Sequence, residues 1–145
     1  MLKVFASAGV AACLLVSVAC DHVSDEPLER RTDSRTIEQG AAESAQVQLT
    51  MGAGKLSVKG GASRLMEGDF TYELQRWKPE IDYHVTGSYG VLKIGHRTGI
   101  HSLNVPSAVE WNVRLNDKIP LDMDVTLGAG ESRLNLGGMA LRTLS

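Results

Sequence analysis

The residue with the clearest chemistry in this sequence is Cys20, which directly follows an uncharged run over residues 4–19. One cation, Lys3, precedes the run, and the small residues 17–19 lead into the cysteine. A positive start, an apolar centre and a small-residue end are the pattern of a secretory signal. A cysteine immediately after that pattern is typical of a bacterial lipoprotein. We therefore predict that residues 1–19 are a removed signal peptide and that Cys20 carries the lipid.

Two other interpretations of this segment stay open. The cysteine could follow an ordinary cleaved signal by coincidence, because Ser17 stands where lipoprotein signals most often have leucine. The segment could also remain as an anchor helix, although a spanning helix needs about 20 apolar residues. By the sorting rule of enterobacteria, Asp21 after the lipidated cysteine favours the periplasmic face of the inner membrane.

Composition limits how the processed chain could attach and react. The second cysteine, Cys13, lies in the predicted signal, so no disulfide, thiol nucleophile or thiolate metal ligand would remain. Residues 20–145 carry 14 Lys and Arg against 17 Asp and Glu, a formal net charge of −3. This balance, without a basic stripe, argues against nucleic acid as a partner and against electrostatic binding to anionic lipid. Membrane attachment is expected to come from the lipid on Cys20 alone.

Histidines are the next candidates for chemistry. His96 and His101 stand five residues apart, with no cysteine or carboxylate between them. A zinc site needs three or four ligands in a defined geometry. We interpret these two residues and His84 as solvent-facing histidines, and we predict no metal site.

A pair of carboxylates, Asp122 and Asp124, shares one face of a predicted strand, roughly 7 Å apart. Paired carboxylates can act as acid and base or hold a cation. The simpler interpretation is that the two aspartates lie on the solvent-exposed face of the strand and pair with Arg114 or Lys118. We predict no catalytic residue and no cofactor.

The aromatic residues could form a platform that stacks on glycans. Trp77 lies in a polar loop beside Pro79 and is the better candidate for an exposed contact residue. Trp111 alternates with polar neighbours and is predicted to lie in the core.

The elements that must position these residues are strands. From Ser44 onward, apolar and polar residues alternate, which predicts half-buried strands with one wet face. Only Ala62–Gly68 is predicted to hold a helical turn. Residues 20–43 mix charges of both signs with few large apolar residues, so they are predicted to be the lipidated cysteine and a flexible tether. The folded domain is predicted over residues 44–145.

One internal repeat stands out. Leu49-Thr50-Met51-Gly52-Ala53-Gly54 returns as Val125-Thr126-Leu127-Gly128-Ala129-Gly130. Repeated strand–bend–strand units predict a coiled, all-β architecture in which successive turns cover each other's apolar edges. The alternative is an antiparallel β-sandwich. Its hairpin near Lys118 would place Arg114 opposite Asp122 and Trp111 opposite Val125.

Several ordered motifs over residues 44–144 resemble the toast-rack domain family, known from the C-terminal domains of LiaF-like cell-envelope stress proteins. They are the segments 51–56, 65–72, 77–80 and 111–115, and the run 121–130. The resemblance implies a β-solenoid-like fold without a known catalytic centre. LiaF-like members restrain envelope-stress signalling by two-component systems. They carry several membrane helices before this domain, where this chain has the predicted lipoprotein signal. Family domains usually continue past the second Gly-Ala-Gly unit, so a short or truncated member with an open last edge is expected.

The sequence thus favours a lipid-anchored, extracytoplasmic binding or scaffold domain of the bacterial cell envelope, linked by resemblance to the envelope-stress response. It is not expected to be an enzyme. Its expected partners are the membrane through Cys20 and either an envelope protein or a second copy at the open edge. One alternative is an adhesin-like module that assembles with itself. The other is a carbohydrate-active β-solenoid using Asp122 and Asp124.

Overall fold

The computed structural model describes residues 29–96 and 109–145, and the regular structure in these segments is almost entirely β. Eight strands form one mixed sheet, which confirms the predicted all-β class. The strands are β1 (Arg31–Ile37), β2 (Ser44–Ala62), β3 (Met66–Tyr72), β4 (Glu80–Thr86), β5 (Tyr89–Gly95), β6 (Glu110–Asn116), β7 (Leu121–Asn135) and β8 (Leu141–Leu144). The helical structure in these segments is a 3₁₀ turn, Gln75–Trp77. No helix in the described segments is long and apolar enough to cross a membrane.

The long strands β2 and β7 stack as successive layers of a coil. They run parallel, with Ala45 paired to Leu121 at one end and Lys59 paired to Asn135 at the other. The two Gly-Ala-Gly copies therefore lie directly on each other, as the repeat predicted. Strand β8 begins a third layer, where Leu141 pairs with Leu121.

The opposite side of β2 is covered by two strands. Its first half pairs with β5 and its second half with β6, both parallel. Strand β4 then adds antiparallel to β5, and β3 followed by β1 adds antiparallel beyond β6. Because the central strand has only parallel neighbours, the antiparallel sandwich is wrong. Strands β6 and β7 lie on opposite sides of β2, so the hairpin pairs Arg114–Asp122 and Trp111–Val125 are wrong as well.

The Gly-Ala-Gly bend reverses which residues face the core. In β2 the buried side chains are odd-numbered as far as Ala53 and even-numbered from Leu56. The switch occurs at Gly54, which has φ +138, and the matching Gly130 has φ +122. Side chains rarely tolerate such positive φ values, so glycine is required at this corner.

The core fills the space between the inward faces of the strands. Trp111 is fully buried, as predicted, and it meets the edge of Phe70 with ring centroids 5.7 Å apart. Edge-to-face contacts of this kind add to the free energy gained by burial. The second half of β7 contributes little to this core, because residues 128–135 are all exposed.

The predicted tether contains strand β1, so the prediction of a flexible segment over residues 20–43 is wrong from Arg31 to Ile37. Arg31 pairs with Tyr72 and Ile37 with Met66. The strand lies at the edge of the sheet and is mostly exposed. Edge strands often carry charged residues, so composition alone gave no strand signal. The predicted helical turn at Ala62–Gly68 is also wrong, because β2 ends at Ala62 and β3 begins at Met66.

Candidate functional site

The outward face of β1, β3, β6, β2 and β7 carries three rows of polar residues, aligned by the registers of the five strands. The first row is Thr32, Thr71, Glu110, Lys55 and Glu131; the second is Ser34, Asp69, Asn112, Ser57 and Arg133; the third is Thr36, Glu67, Arg114, Lys59 and Asn135. Neighbouring strands lie about 4.8 Å apart, so each row extends about 19 Å across the sheet.

A groove lies along these rows, and we call it the polar groove. Its larger part has a volume of ≈ 630 Å³ between the second and third rows, and the connection from β2 to β3 contributes Ser63 and Arg64 to its lining. A smaller hollow of ≈ 190 Å³ lies toward β7. Ser57 and Asn112 line both parts. The volume of the larger part falls in the range of small-ligand sites.

Glu67 organises one end of the polar groove. Its Oε1 accepts hydrogen bonds from the Ser63 hydroxyl at 2.9 Å and the Ser63 N–H at 3.2 Å. Its Oε2 pairs with the guanidinium of Arg114. The pKa of Glu67 lies below its ordinary value. The largest cause is the hydrogen bond from the Ser63 hydroxyl, followed by the Ser63 N–H and then the charge of Arg114. Glu67 is therefore ionised at neutral pH and fixes both Arg114 and the β2–β3 connection.

The second row supplies neutral and acidic hydrogen-bonding groups. The Ser34 hydroxyl donates to Asp69 Oδ1 at 2.6 Å. Asn112 Nδ2 donates to Glu110 Oε1 at 3.1 Å, and Ser57 stands beside Asn112 on β2. Hydroxyl, amide and carboxylate groups side by side suit a ligand that carries hydroxyl groups.

The cations of the polar groove differ in their availability. Arg64 pairs with Glu38 at 2.6 Å, and Arg35 lies 3.6 Å from Asp33. Lys59 is exposed and has no ion pair within residues 29–96 and 109–145. Its ammonium group is free to bind an anionic group of a ligand.

The predicted carboxylate pair lies outside the polar groove. Asp122 pairs with the guanidinium of Arg142 on β8, and the Tyr89 hydroxyl donates to it at 3.5 Å. Asp124 is exposed on the same strand face. Neither residue lines either part of the groove. The predicted pairing of Asp122 with Arg114 is therefore wrong, and this pair gives no basis for the carbohydrate-active alternative.

Trp77, the candidate for an exposed contact, is buried, with 4% of its surface accessible. The half-buried His96 lies between the two tryptophans, with ring centroids 5.1 Å from Trp77 and 4.9 Å from Trp111. The prediction of a solvent-facing His96 is also wrong. Burial lowers the pKa of His96, and the backbone of Trp77 offsets part of this effect. We call these three side chains the aromatic cluster.

The remaining predicted residues divide into two groups. His84 is exposed and lies 3.8 Å from Asp82. Cys20, with the signal peptide, and His101 lie outside the described residues. Where the structure is described, no three His, Cys, Asp or Glu side chains come together as metal ligands would.

Sequence reasoning missed the polar groove as a site. Its rows join residues from five strands that are far apart in the chain, so no local spacing marks them. The available signal was the polar half of each alternating run, including Ser57 and Lys59 in one strand and Asn112 and Arg114 in another. Only the strand register brings these halves together.

Comparison with known proteins gives one family and two solved structures. The family model for the N-terminal domain of toast_rack, DUF2154, matches residues 26–145. A 1.95 Å crystal structure of a candidate cell adhesion protein from Clostridium sporogenes is 36% identical, with a TM-score of 0.76 over 81% of this chain. The match spans 56% of that protein's chain. A candidate adhesin from Parabacteroides merdae is 14% identical, with a TM-score of 0.38 over 74% of this chain and 44% of its own. Curated protein sequences gave no match.

Proposed function

From the premise that the chain belongs to the toast-rack family, we propose that it is a lipid-anchored, extracytoplasmic binding domain of the bacterial cell envelope. It acts by binding rather than by catalysis. The observation that carries this function is the polar groove, which spans several strands and is lined by Lys59, whose ammonium has no ion pair among the residues that the structure describes. The adhesion-related name of the similar Clostridium sporogenes structure supports a surface-binding role.

The chemistry of the polar groove favours an acidic glycan as its ligand. Ser34, Ser57 and Asn112 offer groups that pair with sugar hydroxyls, and Lys59 offers a charge for a sugar carboxylate. The two tryptophans are buried, so they provide no platform for stacking on a neutral glycan. Binding is expected to depend on charge and hydrogen bonds, and therefore to weaken as salt is added.

A titration with a defined acidic polymer tests this function. The full chain in detergent is titrated with polygalacturonate, and with neutral dextran for comparison. We expect binding to polygalacturonate only, weakened roughly fivefold by Lys59→Ala, since an exposed ion pair contributes up to about 1 kcal/mol. Lys93→Ala removes an exposed lysine from the outward face of β5, outside the groove, and serves as the matched control. Equal affinity of wild type and Lys59→Ala, or no binding to polygalacturonate, would contradict the proposed ligand.

The membrane anchor is tested separately. Globomycin blocks the lipoprotein signal peptidase, so it should make an unprocessed precursor accumulate. Cys20→Ala should release the chain from the membrane fraction or prevent its processing. Normal processing under both conditions would refute the anchor without touching the binding function.

Because the chain resembles LiaF-like proteins, we also propose that it restrains envelope-stress signalling. Deleting the chain in its own cell should then raise the output of an envelope-stress reporter, and restoring it should lower that output. A reporter that does not respond to the deletion would remove this role and leave the binding function standing.

A further inference from the structure

Two charged side chains of opposite sign remain in the larger part of the polar groove once its ion pairs are set aside. The paired charges of its lining are Arg114 with Glu67, Arg64 with Glu38, and Arg35 with Asp33. Lys59 and Asp69 also line the groove, and neither has an ion pair in the described part of the chain. The groove therefore offers a ligand a free anion as well as a free cation.

Asp69 provides acceptor oxygens at one end of this arrangement. Its side chain is exposed on β3, and its Oδ1 accepts a hydrogen bond from the Ser34 hydroxyl at 2.6 Å. Asn112 lies directly opposite Asp69 on β6 and uses its Nδ2 to donate to Glu110. The second carboxylate oxygen of Asp69 and the amide oxygen of Asn112 are then acceptors side by side. Such a pair suits an ammonium group, which has donors only.

The strand registers place the two free charges on a diagonal across the groove. Asp69 is paired with Asn112, Asn112 with Ser57, and Lys59 follows two residues later on β2. Strand spacing and rise put the Cα atoms of Asp69 and Lys59 about 12 Å apart. The flexible four-carbon stem of lysine lets its ammonium group adjust to the ligand. Along the diagonal a ligand therefore meets a carboxylate, then neutral hydrogen-bonding groups, then an ammonium group.

Given that the polar groove binds an acidic glycan, as proposed for its function, we propose that this glycan also carries protonated amines. A free amine of the glycan binds Asp69, and a carboxylate of a neighbouring sugar binds Lys59. Hydroxyl groups between the two charges pair with Asn112 and Ser57. An unacetylated amino sugar beside a uronic acid has this order of groups, and we call such a ligand a mixed-charge glycan.

Asp69 makes the groove selective between acidic glycans. A glycan that carries carboxylates alone leaves Asp69 without a partner and brings like charge toward it. Complementary charges contribute mainly to specificity, and like charges placed together disfavour the wrong partner. The free amine should therefore strengthen binding by roughly fivefold, since an exposed ion pair contributes up to about 1 kcal/mol.

Hyaluronan oligosaccharides with and without their N-acetyl groups test this selectivity. Both forms carry the same uronic acid carboxylates, and removal of the acetyl groups adds protonated amines. The full chain in detergent is titrated with each form. We expect roughly fivefold tighter binding of the deacetylated form, for the reason of one added exposed ion pair. Equal binding of the two forms, or tighter binding of the acetylated one, would overturn the mixed-charge ligand.

Two carboxylate variants locate the effect. Asp69→Asn removes the charge but keeps an oxygen that can accept from the Ser34 hydroxyl, and it should abolish the preference for the deacetylated form. Asp124→Asn makes the same change of charge at an exposed residue of β7 that does not line the groove, and it should keep the preference. A preference that survives Asp69→Asn, or that disappears equally in Asp124→Asn, would contradict the role of Asp69.

The same titrations separate this ligand from the proposed function. Lys59→Ala should weaken the binding of both forms, because both carry carboxylates. If both forms bind equally and depend on Lys59, the binding of an acidic glycan stands and the mixed-charge ligand is overturned. Binding of neither form would contradict both. A peptide of alternating glutamate and lysine has both charges without sugar hydroxyls, and equal affinity for it would overturn a glycan as the ligand.

A measurement on the unchanged protein makes the test independent of whether Asp69→Asn folds. The side-chain carboxyl ¹³C signal of Asp69 is followed in the full chain during both titrations. We expect it to shift in a saturable manner with the deacetylated form and to stay unchanged with the acetylated form, while the amide of Lys59 responds to both. An Asp69 signal that responds equally to the two forms, or to neither, would overturn the proposal.

Discussion

Gly52 and Gly128 occupy the same position in two stacked layers, but only Gly128 has backbone against it. A Cβ on Gly128 would lie 2.4 Å from the carbonyl oxygen of Gly52, whereas a Cβ on Gly52 would meet no atom within 4 Å. Gly52 and Gly128 therefore have different roles, although they occupy equivalent positions in the repeat. Gly128 permits the close approach of β7 to β2, and Gly52 leaves space for a larger residue.

We expect Gly128→Ala to lower the free energy of unfolding by about 1–3 kcal/mol, the usual cost of forcing extra volume into a packed contact. Gly52→Ala should change it by less than about 0.5 kcal/mol, because an exposed residue in open space rarely matters. Thermal and urea denaturation of both variants measures this difference. Equal stability of the two variants would show that the layers are not stacked as described.

Asp33 anchors the edge strand β1. Its Oδ2 accepts a hydrogen bond from Lys78 Nζ at 2.9 Å and from the Tyr72 hydroxyl at 3.1 Å. The hydrogen bond from Lys78, with help from Tyr72, lowers the pKa of Asp33 below its ordinary value of 3.8. A carboxyl group with a lowered pKa stabilises the fold above its ordinary pKa and loses that contribution as the pH falls through the lowered value.

Asp33→Asn should therefore cost about 0.5–1 kcal/mol at pH 7, the size of a partly exposed ion pair. The difference from wild type should shrink as the pH falls below 3.8. Asp124→Asn changes an exposed strand carboxylate and should leave stability unchanged at both pH values. A cost for Asp33→Asn that is constant from pH 7 to pH 3 would show that the charge of Asp33 does not hold β1.

The aromatic cluster predicts a pH-dependent fluorescence signal. Burial lowers the pKa of His96 below 6.5, so the fold favours its neutral form. Its contribution to stability is complete above pH 6.5 and decreases as the pH falls from there toward the lowered pKa. The sequence has two tryptophans, Trp77 and Trp111, and both contact the His96 ring. Protonation of His96 should quench their emission.

We expect the midpoint of this fluorescence titration to lie below pH 6.5. His96→Phe should abolish the transition. His84→Gln changes an exposed histidine on β4 and should leave the transition in place. A transition that disappears with His84→Gln, or that persists in His96→Phe, would contradict the described contacts.

The stacked coil could be predicted because its signal is repetitive. Two Gly-Ala-Gly units in alternating runs imply the same bend twice, and the bends lie on each other at Gly54 and Gly130. Trp111 could be assigned to the core for a similar reason, because its neighbours alternate in polarity. Local sequence patterns were sufficient to predict the features that recur along the chain, which are the repeated bend and the alternation of buried and exposed residues.

Other features depend on partners that are distant in the chain. Strand β1 is stabilised by pairing with β3 and by Asp33, and its own residues are polar except for Ile37. Trp77 stands in a polar segment, but its ring packs against His96. The polar groove exists only because five strands align their wet faces. These features depend on the register, which no single segment of the sequence specifies.

Amide chemical shifts report directly on whether the polar groove binds an acidic glycan. The full chain, labelled with ¹⁵N and kept in detergent, is titrated with oligogalacturonate. We expect the amides of Ser57, Lys59 and Asn112 to shift together in a saturable, salt-sensitive manner, while that of Lys93 on β5 stays unchanged. Shifts confined to the β4–β5 face, or no saturable shift at any residue, would contradict binding in the polar groove.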